Sequence, residues 1–231
     1  MVFVHFQEDP LSRYQGDRRD GNAVQKAVRD MVLEEQGVLH MGGLQSGAVL
    51  VNLSPVGAAL TTEIEEKVTD LNERRHYKMG YLDATLLSSE IGGGEGGKHT
   101  IAVAGKDDIY ISTRRLLDVL GTTKRVGETP AAAQHVKIAQ TIKLCSDMVG
   151  TVEALYYGHR AGLDLDGLLE LIEGDGYGRR GAALGSLALR RDFQPALGAM
   201  TVAGFVDYLG ATLGGIESLC VFPMPACLIS T

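Results

Sequence analysis

Short apolar runs alternate with amphipathic stretches over the first half of the chain, and amphipathic stretches dominate the second half. The apolar runs at residues 1–6, 47–53, 80–87 and 100–104 have the length and composition of buried strands. Residues 23–35 place their apolar side chains on one helical face. Because strands that alternate with helices are typical of βαβ units, this half predicts an α/β domain with a parallel sheet of the doubly wound kind.

From Pro130 onward the pattern is helical, and its first helix is unusually long. Apolar positions repeat along it at steps of three and four, and Pro130 and Gly162 act as its start and stop signals. A helix of about 30 residues exceeds the usual globular length, so we expect it to link two lobes or to lie at a subunit interface. The sequence therefore predicts an α/β domain at residues 1–129 and an all-helical domain at residues 130–231.

Lys137 lies in the otherwise apolar first turns of this long helix. A lysine there can face a cleft, where burial lowers its pKa and suits it to acid–base catalysis. The periodicity is equally compatible with a lysine that extends its ammonium into solvent from a helix edge. Lys137 is the strongest catalytic candidate in the chain.

Composition and charge restrict the classes of function. The 231 residues carry a formal net charge of −7 without a basic run, which argues against a nucleic-acid surface. Cys145, Cys220 and Cys227 lack metal-ligand spacing, so we expect reduced thiols, no metal site and a reducing compartment, either the cytoplasm or the mitochondrial matrix. No apolar run approaches about 18 residues and no targeting signal is evident, so neither a membrane span nor a secretory signal is expected.

Two glycine-rich stretches formally match phosphate-binding motifs. Gly92, Gly94 and Gly97 have the spacing G-x-G-x-x-G, and Lys98 follows as in a phosphate loop. A phosphate loop must open a helix, whereas the residues after this loop have the pattern of a strand, so the context argues against phosphate binding. The second match begins at Gly176, and it is weaker because no strand precedes it.

Several segments follow one another in a specific order: AVLVNLSPV, GYLDATLL, a glycine-rich loop, TIAVAGKDD, LDVLGTTKRVGET, the Lys137 helix and AGLDLDGLLELI. This order resembles the 3-hydroxyisobutyrate dehydrogenase family of β-hydroxyacid dehydrogenases, which is related to 6-phosphogluconate dehydrogenase. The resemblance covers nearly the whole chain. It implies a partial Rossmann-type domain for NAD or NADP at residues 1–129, followed by a helical substrate and dimerisation domain that is entered through the long helix.

Lys137 matches the catalytic lysine of that family. Imine reductases share similar strand motifs but usually place an acidic or aromatic residue at this position, so the lysine favours the hydroxyacid branch. The resemblance implies oxidation of a small β-hydroxy acid, in which hydride passes to the nicotinamide and Lys137 handles the hydroxyl proton. Thr141, one turn further on, would then bind the substrate or orient Lys137, unless its hydroxyl bonds its own helix backbone.

The other site residues that the resemblance implies fall into two groups. Two loop serines are candidates for the substrate carboxylate, and four residues at the carboxyl ends of strands are candidates for the cofactor. The substrate group is Ser88 and Ser89, and the cofactor group is Phe6, Gln7, Ser54 and Pro55.

The chain also departs from the family pattern. No strand, G-x-G-x-x-G turn and helix precede the first apolar run, so we expect the sequence to begin at the family's fourth strand and to bind NAD(P) weakly or not at all. We also expect it to stop before the family's last helical segment. Ala131 and Ala133 stand where the family has glycines, and Thr141 stands where it has an asparagine. The family's lysine-aspartate pair becomes Val206 and Asp207, so its lysine is replaced.

Two function hypotheses therefore remain open. The first is an NAD(P)-dependent dehydrogenase that forms a homodimer and acts on a small hydroxy acid, without nucleic-acid or membrane partners. The second is a catalytically dead remnant that serves as a scaffold or dimerisation module and binds no nucleotide. The order of elements favours the first hypothesis, and the missing nucleotide fingerprint favours the second.

Overall fold

The computed structural model describes residues 2–4, 23–40, 43–87 and 99–173. Strands are interspersed with helices as far as residue 127, and two helices follow. The predicted fold class, an α/β sheet followed by helices, is therefore confirmed. The elements are, in chain order, β1 (Val2–Val4), α1 (Ala23–Val32), β2 (Val49–Asn52), α2 (Gly57–Arg75), β3 (Gly80–Leu87), β4 (His99–Gly105), α3 (Asp107–Leu120), β5 (Gly121–Gly127), α4 (Ala131–Arg160) and α5 (Leu165–Glu173).

The described strands lie side by side in one sheet, in the order β1-β2-β3-β4-β5. The first three are parallel, β4 runs antiparallel to β3, and β5 is parallel to β4. The sheet is therefore mixed where a wholly parallel one was expected. Its strand order does not reverse, which corresponds to one half of a doubly wound sheet. The connection at residues 88–98 is slightly shorter than the dozen or so residues of a crossover between parallel neighbours, which agrees with the antiparallel return of β4.

The sequence did not predict β5, which forms one edge of the described sheet. Its residues, GTTKRVG, alternate between partly buried and exposed positions and include one large apolar side chain, Val126. An edge strand that is half in solvent lacks the apolar run by which buried strands are recognised.

The two faces of the sheet carry separate apolar cores. On one face, α1 and α2 pack on β2 and β3 through a cluster that includes Val28, Val32, Leu50, Leu60, Ile64, Val68 and Tyr81. On the other face, α3 packs on the middle strands through a cluster that includes Val51, Leu82, Ala84, Ile101, Val103 and Leu117. Successive strand residues alternate between these clusters, as the two-residue period of a strand requires.

The long helix is confirmed as α4, with 30 residues. Its first turns lie on β4 through small side chains, Ala133 against Ala102 and Ala104, so the helix approaches the sheet closely. It ends at Arg160, and Gly162 follows with a φ of 72°, a left-handed conformation that ends helices. Along the described part of the chain, no helix combines the length and apolar character needed to cross a lipid bilayer. The boundary between two domains at residue 130 stays a prediction.

Candidate functional site

Asp83 lies in the middle of β3, and its side chain is completely buried. It points to the face of the sheet that α2 and α4 cover, and in the β2–β3 register it stands opposite Asn52. A carboxyl group inside an otherwise apolar core costs free energy unless hydrogen bonds compensate it. The surroundings of Asp83 supply those bonds.

Four neutral groups donate hydrogen bonds to the carboxylate of Asp83. Its Oδ2 accepts from Asn52 Nδ2 at 2.8 Å, from Thr61 Oγ1 at 3.1 Å and from Gln134 Nε2 at 2.8 Å. Its Oδ1 accepts from the hydroxyl of Thr85. Burial raises the pKa of Asp83 to about 6, although the bonds from Thr85, Asn52, Gln134 and Thr61 oppose this rise by favouring the ionised form.

Gln134 connects α4 to this group of residues. Its side chain is fully buried in the first turns of the helix. Besides Asp83, its Nε2 lies 3.1 Å from the carbonyl oxygen of Ser54 and 3.0 Å from Thr85 Oγ1, and its Oε1 accepts a bond of 3.1 Å from the backbone N–H of Gly57. One amide side chain therefore joins the end of β2, the start of α2, the middle of β3 and the start of α4.

Lys137 lies one helical turn after Gln134, at the carboxyl end of β3. Its Nζ donates to the carbonyl oxygen of Leu86 at 3.1 Å and lies 3.5 Å from Gln140 Oε1. Burial lowers the pKa of Lys137 below its ordinary value of 10.5. The ammonium thus rests on the edge of the sheet where ligands of open α/β folds bind, with neutral oxygens as its described contacts.

The hydroxyl of Thr141 donates to the backbone carbonyl of Lys137 at 2.7 Å. The sequence left open whether this hydroxyl acts at the substrate site or bonds its own helix backbone. In the structure it bonds the helix backbone. Such a bond fixes the side chain on the helix surface without contacting the Lys137 ammonium. A role for Thr141 in the reaction stays a prediction.

Of the cofactor candidates, Ser54 and Pro55 lie directly after β2. Ser54 is fully buried, and its backbone groups bond the side chains of Asn52 and Gln134. Pro55 is partly exposed. Phe6, Gln7, Ser88 and Ser89 lie outside the described residues, as do both glycine motifs and Val206–Asp207, so their predicted roles remain predictions.

The sequence analysis did not single out the residues of the Asp83 network. A signal was present, because Asn52 and Asp83 interrupt apolar strands and Gln134 interrupts a row of alanines. A polar residue inside such a run is either satisfied by distant partners or destabilising. The sequence does not show which partners meet it.

The starts of α2, α3, α4 and α5 are poorly suited to the pyrophosphate of a dinucleotide. A pyrophosphate site uses free backbone N–H groups at a helix start. At α2 the N–H of Gly57 is bonded to Gln134, and at α4 those of Ala132 and Ala133 are bonded to backbone carbonyls. The first turns of α3 and α5 are acidic and repel anions. The described part of the chain also holds no group of three or more histidine, cysteine or acidic side chains suited to a metal ion.

Comparison with known proteins finds that the chain is similar to dehydrogenases. No protein-family model matches the chain. The sequence is 31% identical over 194 residues to the probable 3-hydroxyisobutyrate dehydrogenase-like 1, mitochondrial, of Arabidopsis thaliana, an alignment that spans 83% of this chain and 54% of that protein. The chain spans about half the length of the first curated relatives it matches.

Solved structures show the same fold. A 3-hydroxyisobutyrate dehydrogenase from Salmonella typhimurium superposes with a TM-score of 0.68 at 23% identity, over 87% of this chain and 66% of that one. Psf3 in complex with NADP+ and 2-OPP superposes with a TM-score of 0.65 at 21% identity, over 88% of this chain and 67% of that one. At these identities the likeness establishes the fold, which is the one that the order of sequence segments predicted.

Proposed function

We propose that the chain belongs to the 3-hydroxyisobutyrate dehydrogenase family and is an NAD(P)-dependent oxidoreductase that acts on the CH–OH group of a small β-hydroxy acid. The Arabidopsis thaliana relative is named a dehydrogenase of this type, and Psf3 was solved with NADP+. NAD and NADP differ by the 2′-phosphate, so the choice between them depends on whether an acidic or a basic residue meets the ribose.

The observation that carries the proposal is the position of Lys137. Its Nζ lies 3.1 Å from the last but one carbonyl of β3, at the carboxyl edge of the parallel strands. Because burial lowers its pKa, the neutral amine is reached at a lower pH than for a solvated lysine. A neutral amine at this edge is suited to accept the proton of a substrate hydroxyl.

In the proposed reaction, NAD or NADP supplies the hydride acceptor. The amine of Lys137 takes the hydroxyl proton while the carbinol carbon becomes a carbonyl, and the ammonium returns that proton in the reverse direction. Leu86 and Gln140 would hold Nζ in place through their oxygens. Thr141 would act on this site through the backbone of Lys137, to which it is bonded.

A homodimer formed through the helical half is part of the same proposal. Its support is a set of large apolar side chains that α4 and α5 expose to solvent. They are Ile142, Val149, Val152, Tyr156, Tyr157 and Leu171. We also propose a reducing compartment, the cytoplasm or the mitochondrial matrix, because the Arabidopsis thaliana relative carries the description mitochondrial and the cysteines lack disulfide or metal spacing.

The second candidate function is a scaffold or dimerisation module that binds no nucleotide. One observation favours it: N–H groups at the starts of α2 and α4 are bonded within the chain and the first turns of α3 and α5 are acidic, which disfavours an anion at these four helix starts. The two candidates differ in turnover and in nucleotide binding.

The test compares two lysines of α4 in the full 231-residue chain. Lys137→Met should lower kcat by about 100- to 10,000-fold on the best of a panel of short β-hydroxy acids, assayed with NAD+ and with NADP+. Lys143, which is exposed and paired with Asp147, provides the matched control, and Lys143→Met should retain turnover. If Lys137→Met keeps the turnover of the parent, the proposed mechanism is wrong. If the parent shows no turnover with either nucleotide, the scaffold function replaces it.

A further inference from the structure

We propose that Gln134 is a positioning residue for Lys137, because it fixes the register of α4 on the sheet through Asp83, Thr85, Ser54 and Gly57. This inference rests on the proposed function for its catalytic meaning. Its structural part, that Gln134 determines where the Lys137 ammonium lies, stands apart from any assay of turnover.

The apolar contact between α4 and the sheet does not by itself define a register. It consists mostly of alanines, Ala133 against Ala102 and Ala104 with Ala132 beside them, and the larger side chains of Leu87 and Val136 lie at its margin, partly buried. Contacts between methyl groups resist a shift of the helix along the sheet only weakly, because dispersion contacts are not directional. A directional contact is therefore needed to fix the position of the helix.

Gln134 provides that contact. Its amide offers donors on one side and an acceptor on the other, and both are used: Nε2 faces the oxygens of Asp83, Thr85 and Ser54, while Oε1 faces the N–H of Gly57. A shift of α4 by one residue would leave these buried groups unpaired, at a cost that methyl contacts cannot offset. The network thus selects one placement of the helix.

The effect reaches Lys137 because both residues contact the same strand. Positions three apart lie on one helix face, so Gln134 and Lys137 face the sheet together. Gln134 bonds Asp83 and Thr85, and Lys137 bonds the carbonyl of the next residue, Leu86. The hydrogen bond of Nζ to β3 therefore requires the register that Gln134 holds.

The test is a titration of the lysine ε-carbon resonances of the full chain by NMR, with Lys137 assigned by Lys137→Arg. The described contacts of Nζ are neutral, so its lowered pKa reports its burial against the sheet. Gln134→Leu should return the pKa of Lys137 toward the ordinary 10.5, because α4 is released from its register.

Asn72→Ala is the matched control. Asn72 makes two hydrogen bonds to the backbone of Met79, at the other end of β3, so its loss weakens the fold without touching α4. The pKa of Lys137 should be the same in this variant as in the parent. An unchanged pKa in Gln134→Leu, or an equal change in Asn72→Ala, overturns the proposal.

A shorter amide covers the case in which Gln134→Leu does not fold. Gln134→Asn keeps a neutral donor and acceptor, but it is one methylene shorter and cannot reach Asp83 and the N–H of Gly57 together. The pKa of Lys137 should again move toward 10.5 in this variant, and an unchanged pKa counts against positioning by Gln134. Should the parent prove active, Gln134→Leu should lower kcat more than it raises KM. Should the parent prove inactive, the titration still decides the inference while the proposed function fails.

Discussion

The face of the sheet under α3 is held by apolar side chains, whereas the face under α2 and α4 encloses an ionisable carboxyl and its four neutral donors. The two faces meet on β3, where Leu82 and Asp83 are neighbours, both fully buried, and point in opposite directions. Leu82 gains stability by leaving water, and Asp83 loses hydration that only correctly placed donors replace. The apolar face therefore tolerates small adjustments of the helix above it, while the polar face specifies where its helices lie.

The largest effect is expected from removing the carboxyl without removing its donors. Asp83→Leu should lower the free energy of unfolding by about 3–5 kcal/mol, because several buried donors lose their acceptor together. Urea unfolding followed by circular dichroism measures this change. A loss below about 1 kcal/mol would show that the donors reach other acceptors and that the polar face is not specific.

The neighbouring residue gives the matched experiment on the apolar face. Leu82→Ala should cost about 2–5 kcal/mol, through lost burial and the cavity it leaves under α3. The two faces should differ in their dependence on pH, because the cost of Leu82→Ala involves no titrating group. The difference in unfolding free energy between Leu82→Ala and the parent should therefore be the same at every pH measured. A difference that changes with pH would contradict the separation of the two faces.

The polar face should also make stability depend on pH in a defined direction. The pKa of Asp83 is raised from 3.8 to about 6, so the folded chain binds this proton more tightly than the unfolded chain does. The stabilising contribution of the protonated form is therefore present below the ordinary pKa and is lost as pH rises through about 6. The free energy of unfolding should fall by about 3 kcal/mol across this window.

The measurement is the difference between the parent and Asp83→Asn, because other carboxyl groups titrate in the same range. The amide that replaces the carboxyl in this variant does not titrate, so the difference in unfolding free energy should change with pH between about 4 and 6 and level off on either side. A difference that is constant over this range would show that Asp83 has the same pKa in the folded and unfolded chain.

The smallest effect is expected at Thr141. Its hydroxyl bonds the carbonyl of Lys137, which already belongs to the helix, so Thr141→Val should change the unfolding free energy by less than about 0.5 kcal/mol. Thr141→Asn restores the residue of the related family, and it should raise turnover if this position lines the site. Equal turnover of the two variants would assign Thr141 to the helix surface alone.

The sequence by itself determined the elements whose signal is local. β1 to β4 and α4 follow from apolar runs and helical periodicity, because burial on both faces of a strand or on one face of a helix imposes a regular pattern on neighbouring residues. The identity of Lys137 as a candidate came from the same pattern, as a charge among apolar positions. The sequence did not predict β5, because this edge strand is half exposed to solvent and does not need a continuous run of apolar residues.

Only the tertiary structure decided which polar residues meet. Asp83 is 31 positions from Asn52, 22 from Thr61 and 51 from Gln134, so no local period relates them. Their meeting depends on the strand register, on the antiparallel return of β4 and on the closeness that alanines allow between α4 and the sheet. A hydrogen bond requires a specific distance and angle between donor and acceptor. The sequence shows which side chains can form such bonds, but not which of them come within bonding distance. The fold decides which partners they find, and here it brings Gln134 to Asp83 and Lys137 to the end of β3.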